Sequence, residues 1–238
     1  MDFETKLVKL SDWIYAIDQQ MVRAFVLVGK KRALCIDAGV TKTDWMDWIR
    51  KVTDLPVSIC LTHSDGDHTA NLSCFDEAWV HPSELPYLKK TAGVHFQLLA
   101  EGDQLDLGGK CLTVLECPGH TPGSIALLEE REKILFSGDT VSLGPVYMFG
   151  EKRDMGKYLE TLGRLQAMAE DGQLREVYPC HNRCPIGTET IGDLIRCAEG
   201  ILDGSISGEP AGLNGPDREG VQVFWSGSAG IYFTKNDK

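Results

Sequence analysis

Four of the six histidines in this chain fall in three short polar loops, and this clustering constrains the fold more than any other feature. Each loop follows an apolar run that is typical of a buried strand, and a fourth loop of the same kind carries an aspartate. The carboxyl ends of strands are where α/β proteins tend to place ligand sites. Potential metal ligands therefore collect at strand ends: His63, Asp65, Asp67, His68, His120, Asp139 and His181.

The residue types in this set predict a pair of divalent cations. Neutral imidazole is the commonest metal ligand, and carboxylates add negative charge and can bridge two metals. A paired site needs about three protein ligands for each metal, together with a shared hydroxide. The histidines and aspartates of the four loops, with one bridging carboxylate, match that requirement.

The loops also resemble the motifs of the metallo-β-lactamase superfamily, in the order that the family has them. The segment from His63 to His68 reads His-Ser-Asp-Gly-Asp-His and resembles the family's His-x-His-x-Asp-His motif. Residues 118–124 resemble the loop with a lone histidine, and residues 137–139 resemble the loop with the bridging aspartate. His181 resembles the last ligand, and the match extends over residues 7–181.

The resemblance implies a single α/β domain over residues 1–238, a four-layer αβ/βα sandwich with its site at one edge of two sheets. It assigns one metal to His63, Asp65 and His120. It assigns the other metal to Asp67, His68 and His181, with Asp139 bridging the two. It also makes Asp67 the catalytic residue, which would orient the nucleophile as well as bind metal.

One position departs from the family pattern, because Asp65 stands where the family usually has histidine. Either the carboxylate replaces the imidazole and still coordinates, or Asp65 only caps the loop and leaves the first metal site weak. A coordinating carboxylate is a harder oxygen ligand, which moves the preference from zinc toward iron or manganese. The expected cofactors are therefore two divalent metal ions, either zinc or the iron or manganese that Asp65 favours.

The hydrophobic pattern predicts strands and helices in two similar β-rich halves, with two sheets packed face to face and helices outside. Helical spacing is found over residues 43–52 and 154–170 and again from residue 188, where Thr190 and Asp193 could form a capping pair. The predicted strands cover residues 13–17, 23–28, 32–37, 57–61, 78–80, 112–115, 125–128, 133–136 and 177–178, with a closing hairpin over 221–225 and 230–234.

The net charge of −11 and the pI near 5.0 favour a small-molecule substrate. Nucleic acids and anionic lipids both attract basic surfaces, so we expect neither as a partner. No apolar run approaches the roughly 20 residues of a membrane span, and no export signal is recognisable, so we expect a cytoplasmic protein. The sequence does not specify the oligomeric state, and a homodimer is compatible with it.

Several other residues have an ordinary structural interpretation. The eight cysteines include no Cys-x-x-Cys pair, which favours buried reduced thiols. A redox or ligand role for Cys180 and Cys184 is the alternative. His81 and His95 lie outside the motifs and are expected to have no role at the site. The aromatic segment over residues 147–149 is a candidate to line a pocket.

The predicted function is a metal-dependent hydrolase, in which a hydroxide shared by two metals cleaves a small ester, thioester, lactone or related substrate. A flavodiiron-like redox protein is the first alternative, since such proteins carry a carboxylate at the position of Asp65. About 57 residues follow His181, too few for a flavin domain, so this alternative needs a separate flavoprotein. The second alternative is a non-catalytic metal-binding module that has kept the fold.

Overall fold

The computed structural model describes residues 3–88, 93–213, 215 and 218–235. The chain folds into two compact units, Met1–Leu115 and Glu116–Lys238. Among the described residues, no helix is both long and apolar enough to cross a membrane. The single domain expected from the sequence stays a prediction.

A seven-stranded sheet forms most of the first unit, with its strands in chain order. The first four strands form an antiparallel meander, and the fourth to the seventh pair in parallel. Short apolar runs suit parallel strands because both faces of such a sheet are covered. The strands are β1 (Lys6–Lys9), β2 (Ile14–Asp18), β3 (Arg23–Val28), β4 (Ala33–Ile36), β5 (Val57–Cys60), β6 (Glu77–Val80) and β7 (His95–Leu98).

Helix α1 (Trp45–Arg50) packs its apolar side into the core of the first unit. Trp45 and Ile49 are four residues apart, so they lie on one face of the helix, and both are fully buried. The 3-10 turns Gly66–His68, Leu72–Cys74 and Pro82–Glu84 follow strands of the sheet. Strands β8 (Gln104–Asp106) and β9 (Cys111–Glu116) pair as an antiparallel hairpin.

The second unit contains two groups of strands. In the first group, β10 (Ile125–Glu129) pairs antiparallel with β11 (Ile134–Gly138). Strand β11 pairs in parallel with β13 (Glu176–Pro179), which in turn pairs with β14 (Ile186–Gly187). The second group is a four-stranded sheet in the order β12 (Gly144–Tyr147), β17 (Ala229–Phe233), β16 (Gln222–Ser226) and β15 (Glu209–Pro210).

Two long helices, α2 (Met155–Glu170) and α3 (Glu189–Leu202), pack against each other in the second unit. Helix α2 begins at Asp154, whose carboxylate accepts a hydrogen bond from the Lys157 amide at 2.9 Å. A cap of this kind stabilises a helix by about 1 kcal/mol. Helix α3 also packs against β16 and β17, so one face of the four-stranded sheet is covered.

Most of the elements expected from the sequence are present, within one or two residues at their ends. The helix predicted over residues 43–52 is shorter, and the capping pair Thr190–Asp193 is wrong. Helix α3 begins at Glu189 after Thr188, which makes no side-chain capping bond, and Thr190 lies inside the helix. Asp193 instead accepts hydrogen bonds from Arg196 and Ser226. The sequence analysis missed β1, β7, β8, β12, β14 and β15.

Candidate metal centre

The loop after β5 is held by the carboxylate of Asp37, which follows β4. Asp37 Oδ1 accepts a hydrogen bond from the Thr62 amide at 2.7 Å, and Oδ2 accepts one from the Thr62 hydroxyl at 2.8 Å. Asp37 is fully buried and has a positive φ of 64°. Few residues other than glycine adopt this conformation, which indicates that the loop contacts hold it there.

The histidines of this loop each have Nδ1 engaged. His68 Nδ1 lies 2.8 Å from Asp37 Oδ2, and a carboxylate accepts, so Nδ1 carries the proton. His63 Nδ1 lies 3.0 Å from Thr62 Oγ1. Because the Thr62 hydroxyl already donates its proton to Asp37, it accepts from His63. In the neutral form of each ring, Nε2 is then the acceptor and the nitrogen that can bind a metal.

The Nε2 atoms face the aspartates of the same loop in two separate pairs. His63 Nε2 lies 3.7 Å from Asp65 Oδ2, and His68 Nε2 lies 3.7 Å from Asp67 Oδ2. The two imidazole rings lie 4.1 Å apart between centroids. The first unit thus brings all four of its predicted ligands together, as a His63–Asp65 pair beside a His68–Asp67 pair.

A second buried carboxylate holds the loop between these pairs. Glu84 is fully buried, and its Oε2 accepts a hydrogen bond from the Ser64 amide at 2.8 Å. The amides on both sides of His63 therefore donate to buried carboxylates, Thr62 to Asp37 and Ser64 to Glu84. Buried hydrogen bonds to charged acceptors are stronger than neutral ones, so the backbone position of His63 is firmly set.

The loop that carries His120 is docked onto the start of helix α2. The carbonyl oxygen of Gly119 accepts from the Asp154 amide at 2.9 Å, and that of Pro118 accepts from the Thr161 hydroxyl at 2.8 Å. Gly119 has a φ of 137°, and a Cβ atom there would lie 2.4 Å from the Tyr158 Cα. Only glycine allows this close approach, so it fixes the residue before His120 against the helix.

In the second unit, Asp139 lies between the other two histidines. Its Oδ2 is 3.6 Å from His120 Nε2 and 3.1 Å from His181 Nε2. Asp139 follows β11 and His181 follows β13, two strands that pair in parallel, so their carboxyl ends meet. The next residue, Thr140, accepts at its carbonyl from the buried Tyr158 hydroxyl at 2.7 Å. The carboxylate predicted to bridge is the one in contact with both histidines of its unit.

His120 also uses Nδ1 for a hydrogen bond, as His63 and His68 do. Its Nδ1 lies 3.0 Å from the carbonyl oxygen of Tyr147, which can only accept, so Nδ1 carries the proton. Nε2, the acceptor of the neutral ring, faces Asp139. Metal-binding histidines commonly donate their other ring N–H to a carboxylate or a backbone carbonyl in this way.

The donor set fits metal ions by the chemistry of its paired atoms. An unprotonated imidazole nitrogen and a carboxylate oxygen are both hydrogen-bond acceptors. Such acceptors face each other at 3.7 Å in the His63–Asp65 and His68–Asp67 pairs and at 3.6 Å in the His120–Asp139 pair. A divalent cation bound by both atoms of a pair relieves this opposition, and nitrogen with oxygen ligands suits zinc, iron or manganese.

Three supporting residues were missed by the sequence analysis as functional residues: Asp37, Glu84 and Tyr147 through its carbonyl oxygen. Asp37 left a weak signal, as a lone aspartate at the end of a buried strand. Of the residues without a predicted role at the site, His81 accepts from the Ser83 amide in a 3-10 turn, and His95 is exposed on β7.

The cysteines and the aromatic segment match their sequence interpretations in part. None of the cysteines forms a disulfide, and five of them are buried, whereas Cys74 is exposed and Cys111 and Cys184 are half-buried. In the aromatic segment, Met148 is fully buried, while Tyr147 is 38% exposed and Phe149 half-buried.

The sequence of this chain is similar to one family of proteins and to individual members with known names. The family model of the metallo-beta-lactamase superfamily matches residues 17–181. An acyl-coenzyme A thioesterase, MBLAC2 of Gallus gallus, is 30% identical in an alignment 192 residues long, which covers 64% of this chain and 69% of that protein. A hydroxyacylglutathione hydrolase of Bdellovibrio bacteriovorus is 32% identical over 140 residues, 58% of this chain and 55% of that protein.

A solved structure supplies the comparison of folds. A metallo-beta-lactamase from Pontibacter korlensis superposes with a TM-score of 0.69 at 18% sequence identity. The match covers 82% of this chain and 99% of the other. At this level of identity, the likeness concerns the fold alone.

Proposed function

The chain belongs to the metallo-β-lactamase superfamily as a metallo-hydrolase, and from this premise we propose that it hydrolyses thioesters of a small carrier thiol. The predicted α/β metallo-β-lactamase fold is confirmed by the structural likeness. Both relatives named above are thioester-directed by their names, one toward acyl-coenzyme A and one toward hydroxyacylglutathione. The alignments span 69% and 55% of those proteins, so the substrate is part of the proposal.

The observation that carries the proposal is the arrangement of histidine Nε2 atoms opposite carboxylate oxygens of the same loops or strand ends. We propose that His63, Asp65 and His120 hold one divalent cation, that Asp67, His68 and His181 hold the other, and that Asp139 contacts both. The pairings inside each unit support this assignment, as does the order of the motifs. When bound, two such cations lower the pKa of water toward neutrality and polarise the carbonyl under attack.

Asp67 is the proposed catalytic residue among these ligands. Its side chain is 33% exposed, compared with 18% for Asp65 and 14% for Asp139, so it is the carboxylate most open to water and substrate. Its carboxylate orients the attacking water by accepting a hydrogen bond from it. Hydrolysis joins the water oxygen to the carbonyl carbon and breaks the carbon–sulfur bond, which releases a carboxylic acid and a thiol.

The test is a panel of acyl-coenzyme A, hydroxyacylglutathione, lactone and β-lactam substrates, assayed with protein of measured metal content. We expect the thioesters to be cleaved with the highest kcat/KM. Asp67→Ala should lower kcat/KM by more than tenfold, a loss above about 1.4 kcal/mol. Asp54→Ala, at an exposed aspartate elsewhere in the first unit, is the control. Turnover of a lactone or β-lactam without turnover of any thioester contradicts the proposal.

We also propose that the chain unfolds as one cooperative domain when metal is bound. Ligand loops from residues 62–68, 118–120, 137–139 and 179–181 would then share one set of cations. A ligand that binds only the folded state raises its stability. Calorimetry should show one transition that moves to lower temperature with chelator, and two independent transitions contradict this.

A further inference from the structure

Aromatic side chains collect on one side of the four-stranded sheet. Along β17, Ile231 and Phe233 are buried, and Tyr232 between them is partly exposed. Successive side chains on a strand point to opposite faces, so Tyr232 points away from the side that Ile231 and Phe233 occupy. Tyr147 on β12 is the register partner of Tyr232, and it lies on the same outer side.

The rings on this side form a surface, which we call the aromatic face and define as Tyr147, Phe149, Trp225 and Tyr232. The Tyr147 ring lies 4.9 Å from that of Tyr232 and 5.6 Å from that of Phe149, between centroids. The Trp225 indole lies over Gly230, where an added Cβ would be 3.1 Å from the ring. Tyr147 is 38% exposed and Trp225 is 49% exposed.

Tyr147 links the aromatic face to the candidate metal centre. The carbonyl oxygen of this residue accepts from His120 Nδ1 at 3.0 Å, while its side chain stands on the face. Arg153 Nε donates to the same carbonyl at 3.1 Å. One residue thus holds a proposed metal ligand with its backbone and begins an apolar surface with its side chain.

The size of the face suits a hydrocarbon chain. Neighbouring strands lie about 4.8 Å apart, and β16 is two strands from β12 in the order β12-β17-β16. The surface therefore runs for about 10 Å from Tyr147 to Trp225. Its rings present carbon, two phenol hydroxyls and one indole N–H. This chemistry suits an alkyl group better than the charged phosphates or carboxylates of a carrier thiol.

We propose that the aromatic face binds the hydrocarbon part of the acyl group, so that the enzyme prefers medium-chain thioesters to acetyl ones. This inference rests on the proposed thioester hydrolysis and names the part of the substrate that sets specificity. The carbonyl carbon would lie toward His120 and the chain would extend over Tyr147 and Tyr232 toward Trp225. Exposed aromatic patches of this kind commonly mark binding sites.

The expected effect follows from the burial of methylenes. A fully buried methylene raises an equilibrium constant about fourfold. A chain that contacts protein on one side gains about half of that free energy, so about twofold in kcat/KM per methylene. We expect kcat/KM to rise along a series of straight-chain acyl thioesters of one carrier thiol, from acetyl to decanoyl.

The matched variants are Trp225→Ala on the face and Tyr87→Ala outside it, at a residue that is 43% exposed. Trp225→Ala should lower kcat/KM for the decanoyl thioester about five- to tenfold and leave the acetyl thioester unchanged. Tyr87→Ala should leave the whole series unchanged. Tyr232→Ala, which removes the ring between Tyr147 and Trp225, is the second variant if Trp225→Ala does not fold. It should also lower kcat/KM for the decanoyl thioester relative to the acetyl thioester.

Direct binding tests the face without turnover. Decanoate should change the tryptophan fluorescence of the metal-loaded enzyme, and Trp225→Phe should remove that change. A wild-type enzyme that cleaves thioesters with no dependence on chain length overturns this inference and leaves the proposed function intact. A wild-type enzyme that cleaves no thioester overturns the proposed function, and this inference fails with it. Conversion of a dimer to a monomer by Trp225→Ala, with the chain-length series unchanged, assigns the face to an interface between copies and also overturns the inference.

Discussion

Asp37 and His68 are both fully buried and lie 2.8 Å apart, between the carboxylate Oδ2 and the ring Nδ1. The same carboxylate accepts from the amide and the hydroxyl of Thr62. A single side chain that coordinates no metal in our assignment therefore sets the proton positions of two proposed ligands, directly for His68 and through Thr62 for His63.

Replacement of Asp37 should weaken metal binding. Loss of a supporting carboxylate of this type typically costs 10- to 100-fold in metal affinity, and we expect that range for Asp37→Ala. The orphaned Thr62 amide should also destabilise the fold by about 1–3 kcal/mol. Competition with a chromophoric chelator measures the affinity, and urea unfolding measures the stability. Asp37→Asn keeps one acceptor oxygen and should lose less metal affinity. Equal metal affinity in the wild type and both variants contradicts this role of Asp37.

Gly119→Ala should destabilise the protein and reduce its activity. The new Cβ would lie 2.4 Å from the Tyr158 Cα, at a φ of 137°. Overpacking typically costs about 1–3 kcal/mol, and the shift needed to relieve it moves His120. Gly163→Ala is the matched control, because a Cβ there meets no described atom within 4 Å and alanine is the better helix former. The melting temperature of Gly119→Ala should lie below that of the wild type, and that of Gly163→Ala should lie at or above it. The reverse order refutes the close approach of Gly119 to Tyr158.

Asp65→His should change the metal that the protein retains. The carboxylate of Asp65 lies 3.7 Å from His63 Nε2, where it can share a cation with that ring. Oxygen ligands favour iron or manganese relative to zinc more than imidazole does. Elemental analysis of both proteins, grown side by side in metal-balanced medium, should show a larger zinc share in the variant. Two zinc ions per chain in both proteins would show that the residue at position 65 does not determine which metal is bound.

Stability should fall at alkaline pH because of buried thiols. Burial raises the pKa of Cys35 from 9.0 to about 12 and also raises that of Cys60. These thiols therefore lose their protons at a lower pH in the unfolded chain than in the folded one. Their contribution to the free energy of unfolding is complete below pH 9.0 and decreases as the pH rises toward 12. The free energy of unfolding then falls by at most about 1.4 kcal/mol per pH unit for each thiol. Urea unfolding between pH 8 and pH 10 should show a smaller decline in Cys35→Ala, and an equal decline contradicts the assignment.

The proposed ligands could be selected from the sequence because the motif that carries them is local. His63 to His68 stand within six residues, and each remaining proposed ligand follows its own apolar run, so composition and order were sufficient to propose the set. The supporting contacts were not predictable, because they join distant residues. Asp37 is 31 residues from His68 and Glu84 is 20 residues from Ser64. Tyr147 acts through its backbone, which has no signature in a sequence.

The missed strands have a related explanation. Strands β1, β7 and β8 are short and carry exposed or half-buried residues, so they lack the apolar runs that identify β4 or β5. Strand β12 contains Gly144 and Pro145, residues that favour turns when read without a partner. It forms a strand because β17, more than eighty residues later, supplies the pairing.

Because β12 pairs with β17, the end of the chain supports a residue at the candidate metal centre. Every proposed ligand lies at or before His181, and so does the family match. Yet the carbonyl that orients His120 belongs to β12, whose parallel neighbour is formed by Ala229–Phe233. A fragment cut to the matched region would keep all the proposed ligands and lose the strand that supports one of them. In evolutionary terms, substitutions in a region that contains no proposed ligand would change the proposed metal binding as well as the proposed substrate specificity, so selection would act on both properties together.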